Sequence, residues 1–186
     1  MRNILIITGS PRVGGNSDLL AEAFAEGAYG GGNQVKIFPA GRKNIGGCKV
    51  CNTCFSTGKA CTFDDDFNEL AELLEWADGL VLATPLYWYT FTAQIKAAMD
   101  KIYSFMYTEK ELKIRDLFLI ACAADDEDTF EGIIKSYEAI VTYLKCDDAG
   151  KLIVPGVEEK GDVTREHLDA AKTAGFVFDM SNYMTL

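Results

Sequence analysis

Histidine occurs once in the 186 residues, at His167 on the last predicted helix, so imidazole acid–base chemistry has little material to work with. A surface or helix-capping place is expected for it. Basic residues are scarce beside acidic ones: 18 Lys and Arg against 28 Asp and Glu leave a formal charge of −10. That balance argues against nucleic acid and against anionic membrane surfaces as partners. No apolar run approaches the ~18 residues of a membrane-spanning helix. The N-terminus enters a short strand without the basic, apolar and small-residue layout of a signal peptide, so a cytoplasmic setting is expected. Thiols in a reducing compartment suggest metal or redox work before disulfides, which bears on the six cysteines. With 48% apolar residues, the chain is long enough for one well-buried domain over residues 1–186.

Three further absences concern the stretch Thr8 to Ser17, TGSPRVGGNS, which follows the apolar run Ile4 to Ile7 and precedes an amphipathic segment. A dinucleotide fingerprint needs G-x-G-x-x-G and an acid about 20 residues on. Here the glycines are Gly9, Gly14 and Gly15, and the second apolar run ends in Phe38-Pro39. A P-loop needs a lysine after its last glycine, but Gly15-Asn16 stand there. A cysteine phosphatase needs a nucleophilic Cys inside the loop, and there is none. What remains is a strand, a glycine-rich loop and a helix start able to hold one phosphate monoester. Ser10, Asn16 and Ser17 offer short polar groups, and Arg12 offers a forked cation.

Along the chain, short apolar runs alternate with helical patterns. Strands are expected at Asn3 to Thr8, Val35 to Phe38, Gly79 to Thr84, within Leu112 to Ala124, and at Lys151 to Val154. Helices are expected from Asn16 or Ser17 as cap to about Tyr29, at Phe67 to Trp76, from Thr92 through Met106, from Phe130 to Leu144, and from about Thr164 to Phe178. The fold class is therefore α/β, a doubly wound five-stranded parallel sheet in the order 2-1-3-4-5 with helices on both faces. In such sheets a ligand lies outside the carboxyl ends of the strands where their order reverses, here between the first and third. The phosphate loop follows the first strand and Pro85-Leu86-Tyr87-Trp88-Tyr89 follows the third, so the two should share a site. Pro85 turns the chain, and Leu86, Tyr87 and Trp88 make a wall suited to a flat conjugated ring. A phosphate cradle beside that wall describes FMN, with Cys122 to Asp125 as the third edge of the pocket.

Residues 39–66 lose all periodicity and carry four cysteines, Cys48, Cys51, Cys54 and Cys61, spaced C-x2-C-x2-C-x6-C. Four thiolates at this spacing suit a [4Fe–4S] cluster or a tetrahedral zinc ion, and free thiols or an oxidised pair are the other readings. Cys122 and Cys146 fall in strand and helix patterns and are expected to be buried. Asp64-Asp65-Asp66 and Asp125 to Asp128 precede helices and are expected to cap them.

GSPRVGGNS before an apolar helix, with TPLYWYTFTAQIKAAMDK after the third strand, resembles the flavodoxin-like NADPH-dependent FMN reductases. The cysteine loop narrows the resemblance to their iron–sulfur flavoprotein branch. The resemblance implies that Ser10, Arg12, Gly15, Asn16 and Ser17 hold the FMN phosphate. It also implies that Pro85, Leu86, Tyr87 and Trp88 bracket the ribityl chain and ring. A homodimer or homotetramer with the flavin near a subunit boundary is implied as well. The expected activity is an oxidoreductase passing electrons from NAD(P)H or a reduced carrier through FMN to a small-molecule acceptor, the flavin itself performing the chemistry. Two other readings stand beside it. One is an electron carrier with a [4Fe–4S] cluster on the four cysteines, serving a ferredoxin-like partner. The other is a non-redox module built round zinc.

Overall fold

The computed structural model describes residues 1–178, so residues 179–186 of the expected domain lie outside the described residues. Five strands form one parallel sheet: β1 (Asn3–Thr8), β2 (Gln34–Phe38), β3 (Gly79–Pro85), β4 (Asp116–Cys122) and β5 (Asp147–Val154). Their order is β2-β1-β3-β4-β5, which puts the reversal between β1 and β3. In register, Ile4 stands beside Val35 on one side and Gly79 on the other. β1, β3 and β4 are buried along almost their whole length, and this is why they read as unbroken apolar runs.

Alternate residues of these strands feed two cores. Ile4, Ile6, Val81, Ala83, Phe118 and Ile120 face α1 (Asn16–Gly30) and α6 (Arg165–Val177). Leu5, Ile7, Leu80, Leu82, Leu117 and Leu119 face the layer of α2 (Phe67–Trp76), α3 (Ala93–Lys101), α4 (Tyr103–Tyr107) and α5 (Glu131–Leu144). The helix expected from Thr92 through Met106 is two helices, with the break at Ile102. Between β2 and α2 the chain forms only a 3-10 turn, Ala40–Arg42, and then the cysteine-bearing loop.

Local chemistry sets several of these ends. The Thr92 hydroxyl caps α3, accepting from the Ile95 N–H. Thr164 and His167 form a reciprocal capping box on α6, so the lone histidine is a capping residue. Of the three acids before α2, Asp65 accepts from the Phe67 N–H, whereas Asp66 turns away to the Asn44 N–H. Asp65 also pairs with the buried Lys101 ammonium, tying the cysteine-loop end to α3.

α1 and α6 approach so closely that each needs a glycine at the contact. A Cβ on Gly27 would lie 1.8 Å from the Lys172 carbonyl oxygen, and one on Gly175 would lie 2.0 Å from that of Phe24. Alanine in place of a helical glycine ordinarily stabilises by about 1 kcal/mol. Here the obstacle is backbone that cannot rotate away, and overpacking costs about 1–3 kcal/mol. Gly27→Val and Gly175→Ala should therefore lower the denaturation midpoint, measured by urea unfolding, whereas Gly32→Ala, in open space, should cost only the strain of its positive φ.

Candidate functional site

The carboxyl ends of β1, β3, β4 and β5 open onto a cleft of about 230 Å³. Ser10, Arg12, Gly15, Asn16 and Ser17 line one side, and Pro85, Leu86 and Tyr87 line the other. Eight of the nine residues expected around a cofactor thus meet in one place. Trp88 does not: its side chain is 92% exposed and lies outside the lining. The third edge is Cys122 to Asp125, as the order of the strands requires.

The loop after β1 is held from within and from behind. Ser10 Oγ accepts from the Arg12 N–H at 3.1 Å and lies 3.3 Å from the Arg12 carbonyl oxygen. Gly14 adopts φ +64° and its N–H donates to Asp18 Oδ2 at 3.1 Å. Arg42, from the turn after β2, donates to the same Asp18 oxygen at 2.7 Å and to the Ser10 carbonyl at 3.3 Å. Gly41 must be glycine, because a Cβ there would stand 2.2 Å from that carbonyl. On the opposite flank Thr92 Oγ1 donates to the Gly9 carbonyl at 2.9 Å, fixing the start of α3 to the loop.

The helix start itself is open. The cap position of α1 is Gly15, not Asn16 or Ser17, and no side chain caps it. Its first N–H groups therefore have no intrahelical acceptor and present the positive end of the helix to the cleft. Ser17 Oγ is buried there with no hydrogen-bond partner among the described residues. An uncapped helix start, an orphaned buried hydroxyl and the Arg12 guanidinium are donors of the kind that can hold an anion. Asn16 is differently engaged. Its side-chain amide donates to the Glu159 carbonyl at 2.9 Å and accepts from the Gly161 N–H at 2.9 Å.

Those contacts bring in a segment that sequence reasoning missed. The loop between β5 and α6 contributes Val157, Glu158 and Lys160 to the cleft. It sits at a strand end like the others, and that was the only signal available; its polar residues have no period.

Where an aromatic wall is expected the chain makes a tight turn, and of its aromatics Tyr87 alone lines the cleft. Tyr87 and Thr90 exchange backbone hydrogen bonds at 3.0 and 3.1 Å, with Trp88 at φ +49° and Tyr89 at φ +63° between them. Left-handed conformations cost about 1–2 kcal/mol each for such residues. The turn is braced by Gly132 of α5, where a Cβ would come within 2.6 Å of the Tyr89 carbonyl. Cys122 closes the cleft floor, and burial pushes its thiol up to about 12, so it is an inert neutral group near neutral pH.

Cys48, Cys51, Cys54 and Cys61 line a separate hollow of about 20 Å³ with Lys49, Phe63 and Lys101. The backbone between them is left-handed at Val50, Asn52 and Phe55, and at Gly58. The Cys51 thiol is drawn below its ordinary range by hydrogen bonding to Thr53, and burial raises that of Cys54. All six cysteines are free. The donor chemistry suits a soft metal centre, but the hollow is of single-water size. Among the described residues no three His, Cys, Asp or Glu side chains are placed as one metal-holding group. No helix among the described residues is long and apolar enough to cross a membrane.

Known proteins are similar to this chain in sequence or in fold. An iron-sulfur flavoprotein of Archaeoglobus fulgidus is 35% identical over 96 residues, which are 52% of this chain and 43% of that protein. One from Methanosarcina thermophila is 34% identical over 95 residues, 51% of this chain and 49% of that protein. The chain thus spans about half the length of the curated relatives it matches. The solved structure of an NAD(P)H:quinone oxidoreductase from Methanothermobacter marburgensis superposes with a TM-score of 0.75, covering 96% of each chain at 20% identity, a likeness of fold. The sequence profile of NADPH-dependent FMN reductases matches residues 2–135, and the chain belongs to that family.

Proposed function

We propose that the chain is an FMN-binding oxidoreductase that takes electrons from NAD(P)H or a reduced carrier and delivers them to a small-molecule acceptor. The observation that carries this reading is the cleft in which an uncapped helix start, with the orphaned Ser17 hydroxyl, faces Pro85, Leu86 and Tyr87. The N–H groups at the start of α1, Ser17 Oγ and Arg12 would hold the phosphate. Ser10 shapes the loop around it, and Gly15 leaves room for close approach: a Cβ there would stand 3.2 Å from Ser10 Oγ. Pro85, Leu86 and Tyr87 would flank the ribityl chain and the ring, and the aromatic contact falls to Tyr87 rather than Trp88. Bound FMN would supply the hydride and electron chemistry. The chain's residues supply orientation and a cleft floor of neutral groups, Cys122 among them. A homodimer or homotetramer in the cytoplasm is the proposed setting, and the exposed Trp88 and Tyr89, next in sequence to the cleft residue Tyr87, support a subunit contact there.

Arg12→Ala removes one charge-assisted contact, so FMN affinity measured by fluorescence quenching should fall roughly 10- to 100-fold. An unchanged affinity would take Arg12 out of the phosphate site.

A second reading is supported by Cys48, Cys51, Cys54 and Cys61 all lining one hollow, with left-handed residues between them. The iron-sulfur flavoproteins named above also support it. In that reading the four thiolates carry a [4Fe–4S] cluster and the chain relays single electrons for a ferredoxin-like carrier. Protein purified without oxygen should then contain about four irons and four sulfides per chain. Iron-free protein with full NAD(P)H-dependent turnover would remove the cluster from the reaction, and zinc in its place would favour a structural loop.

A further inference from the structure

The loop between β5 and α6 is built to present one residue. Its entry is stitched to the end of β4, where the Val157 N–H donates to the Ala123 carbonyl at 2.8 Å and the Gly156 N–H to that of Asp125 at 3.2 Å. Asp162 Oδ2 then accepts from the N–H groups of Glu158 and Glu159 at 3.0 and 2.7 Å, curling the chain back on itself. Lys160 stands at the apex, followed by Gly161 at φ +94°. Asn16, the first residue of α1, bonds the chain on both sides of that apex, at the Glu159 carbonyl and the Gly161 N–H.

This clamp puts the ammonium of Lys160 over the phosphate loop: a Cβ on Gly14 would lie 3.3 Å from Lys160 Nζ. Lys160 lines the same cleft as Arg12, Ser17 and the open start of α1. Among the described residues neither Lys160 nor Arg12 is in an ion pair. The carboxylates in the cleft are Asp125 and Glu158. Neither carboxylate forms an ion pair with either cation among the described residues, so both cations and the uncapped helix start are left to an anionic ligand.

We infer that Lys160 is the second cation of the phosphate site, reading the dianionic monoester of FMN, and that Asn16 is the positioning residue that holds Lys160 in place rather than a phosphate ligand. The inference rests on the FMN reading and deepens it. It accounts for an amide at Asn16 that is occupied on both sides by protein, and for a lysine far along the chain lying against the loop after β1.

The test compares FMN with riboflavin, which has the same ring and no phosphate, in the wild type and in Lys160→Gln, Lys160→Arg and Asn16→Ala. Lys160→Gln should weaken FMN about tenfold, leave riboflavin unchanged and flatten the salt dependence of FMN binding. Lys160→Arg should recover most of the loss, and Asn16→Ala should reproduce part of it. FMN binding by Lys160→Gln as tight as by the wild type would overturn the inference and leave the FMN reading standing. Equal losses for FMN and riboflavin would also overturn it, because Lys160 would then serve the loop and not the phosphate. A wild type that binds neither flavin would end both.

Discussion

A helix that begins without a cap leaves backbone donors facing whatever lies ahead of it. Here α1 begins at the carboxyl edge of the sheet, next to the point where strand order reverses, with glycine in the cap position. The acid in its first turn, Asp18, does not fill the gap. Its carboxylate is buried behind the loop, spent on the Gly14 N–H and neutralised by Arg42. The site thus keeps its positive end toward the cleft while its supporting charges cancel, an arrangement stabilised by about 0.3–1 kcal/mol per anion contact, more where partly buried. Everything else around the cleft is arranged so that this open end stays open and rigid.

Rigidity comes from neighbours that are distant in sequence. Thr92 fixes Gly9 from the β3 side, Arg42 fixes Ser10 from the β2 side, and Asn16 joins the loop after β5. Each of these tethers is a side chain bonded to backbone, so the loop conformation is specified by residues that need not touch a ligand. The aromatic turn at Tyr87 to Thr90 follows the same logic, its second left-handed residue, Tyr89, packed against Gly132. Strain of this kind persists where the surroundings over-determine it, and it is found next to the proposed ring site.

The fold was legible because buried parallel strands write themselves as continuous apolar runs, and β1, β3 and β4 are buried along almost their whole length. The meeting of the β1 and β3 loops followed from topology alone. Three details were not legible. The stripe Ile95, Met99, Ile102 and Met106 keeps helical spacing across a break at Ile102, since a short offset between α3 and α4 hardly alters the period. Trp88 and Tyr87 are adjacent in sequence, yet only the φ angles of the turn decide that one lines the cleft and the other faces solvent. Lys160 belongs to a polar loop whose partner, Asn16, is fixed by the tertiary fold and by nothing local.

The central claim is that a phosphate monoester sits against the start of α1, held there as a dianion. The phosphorus NMR signal of FMN in the protein, followed between pH 5 and 8, tests it most directly. A resonance displaced from that of free FMN and constant with pH would mean that the second proton, with a pKa of about 6 in free solution, never returns. A resonance that titrates with the free ligand's midpoint would place the phosphate in water and contradict the account.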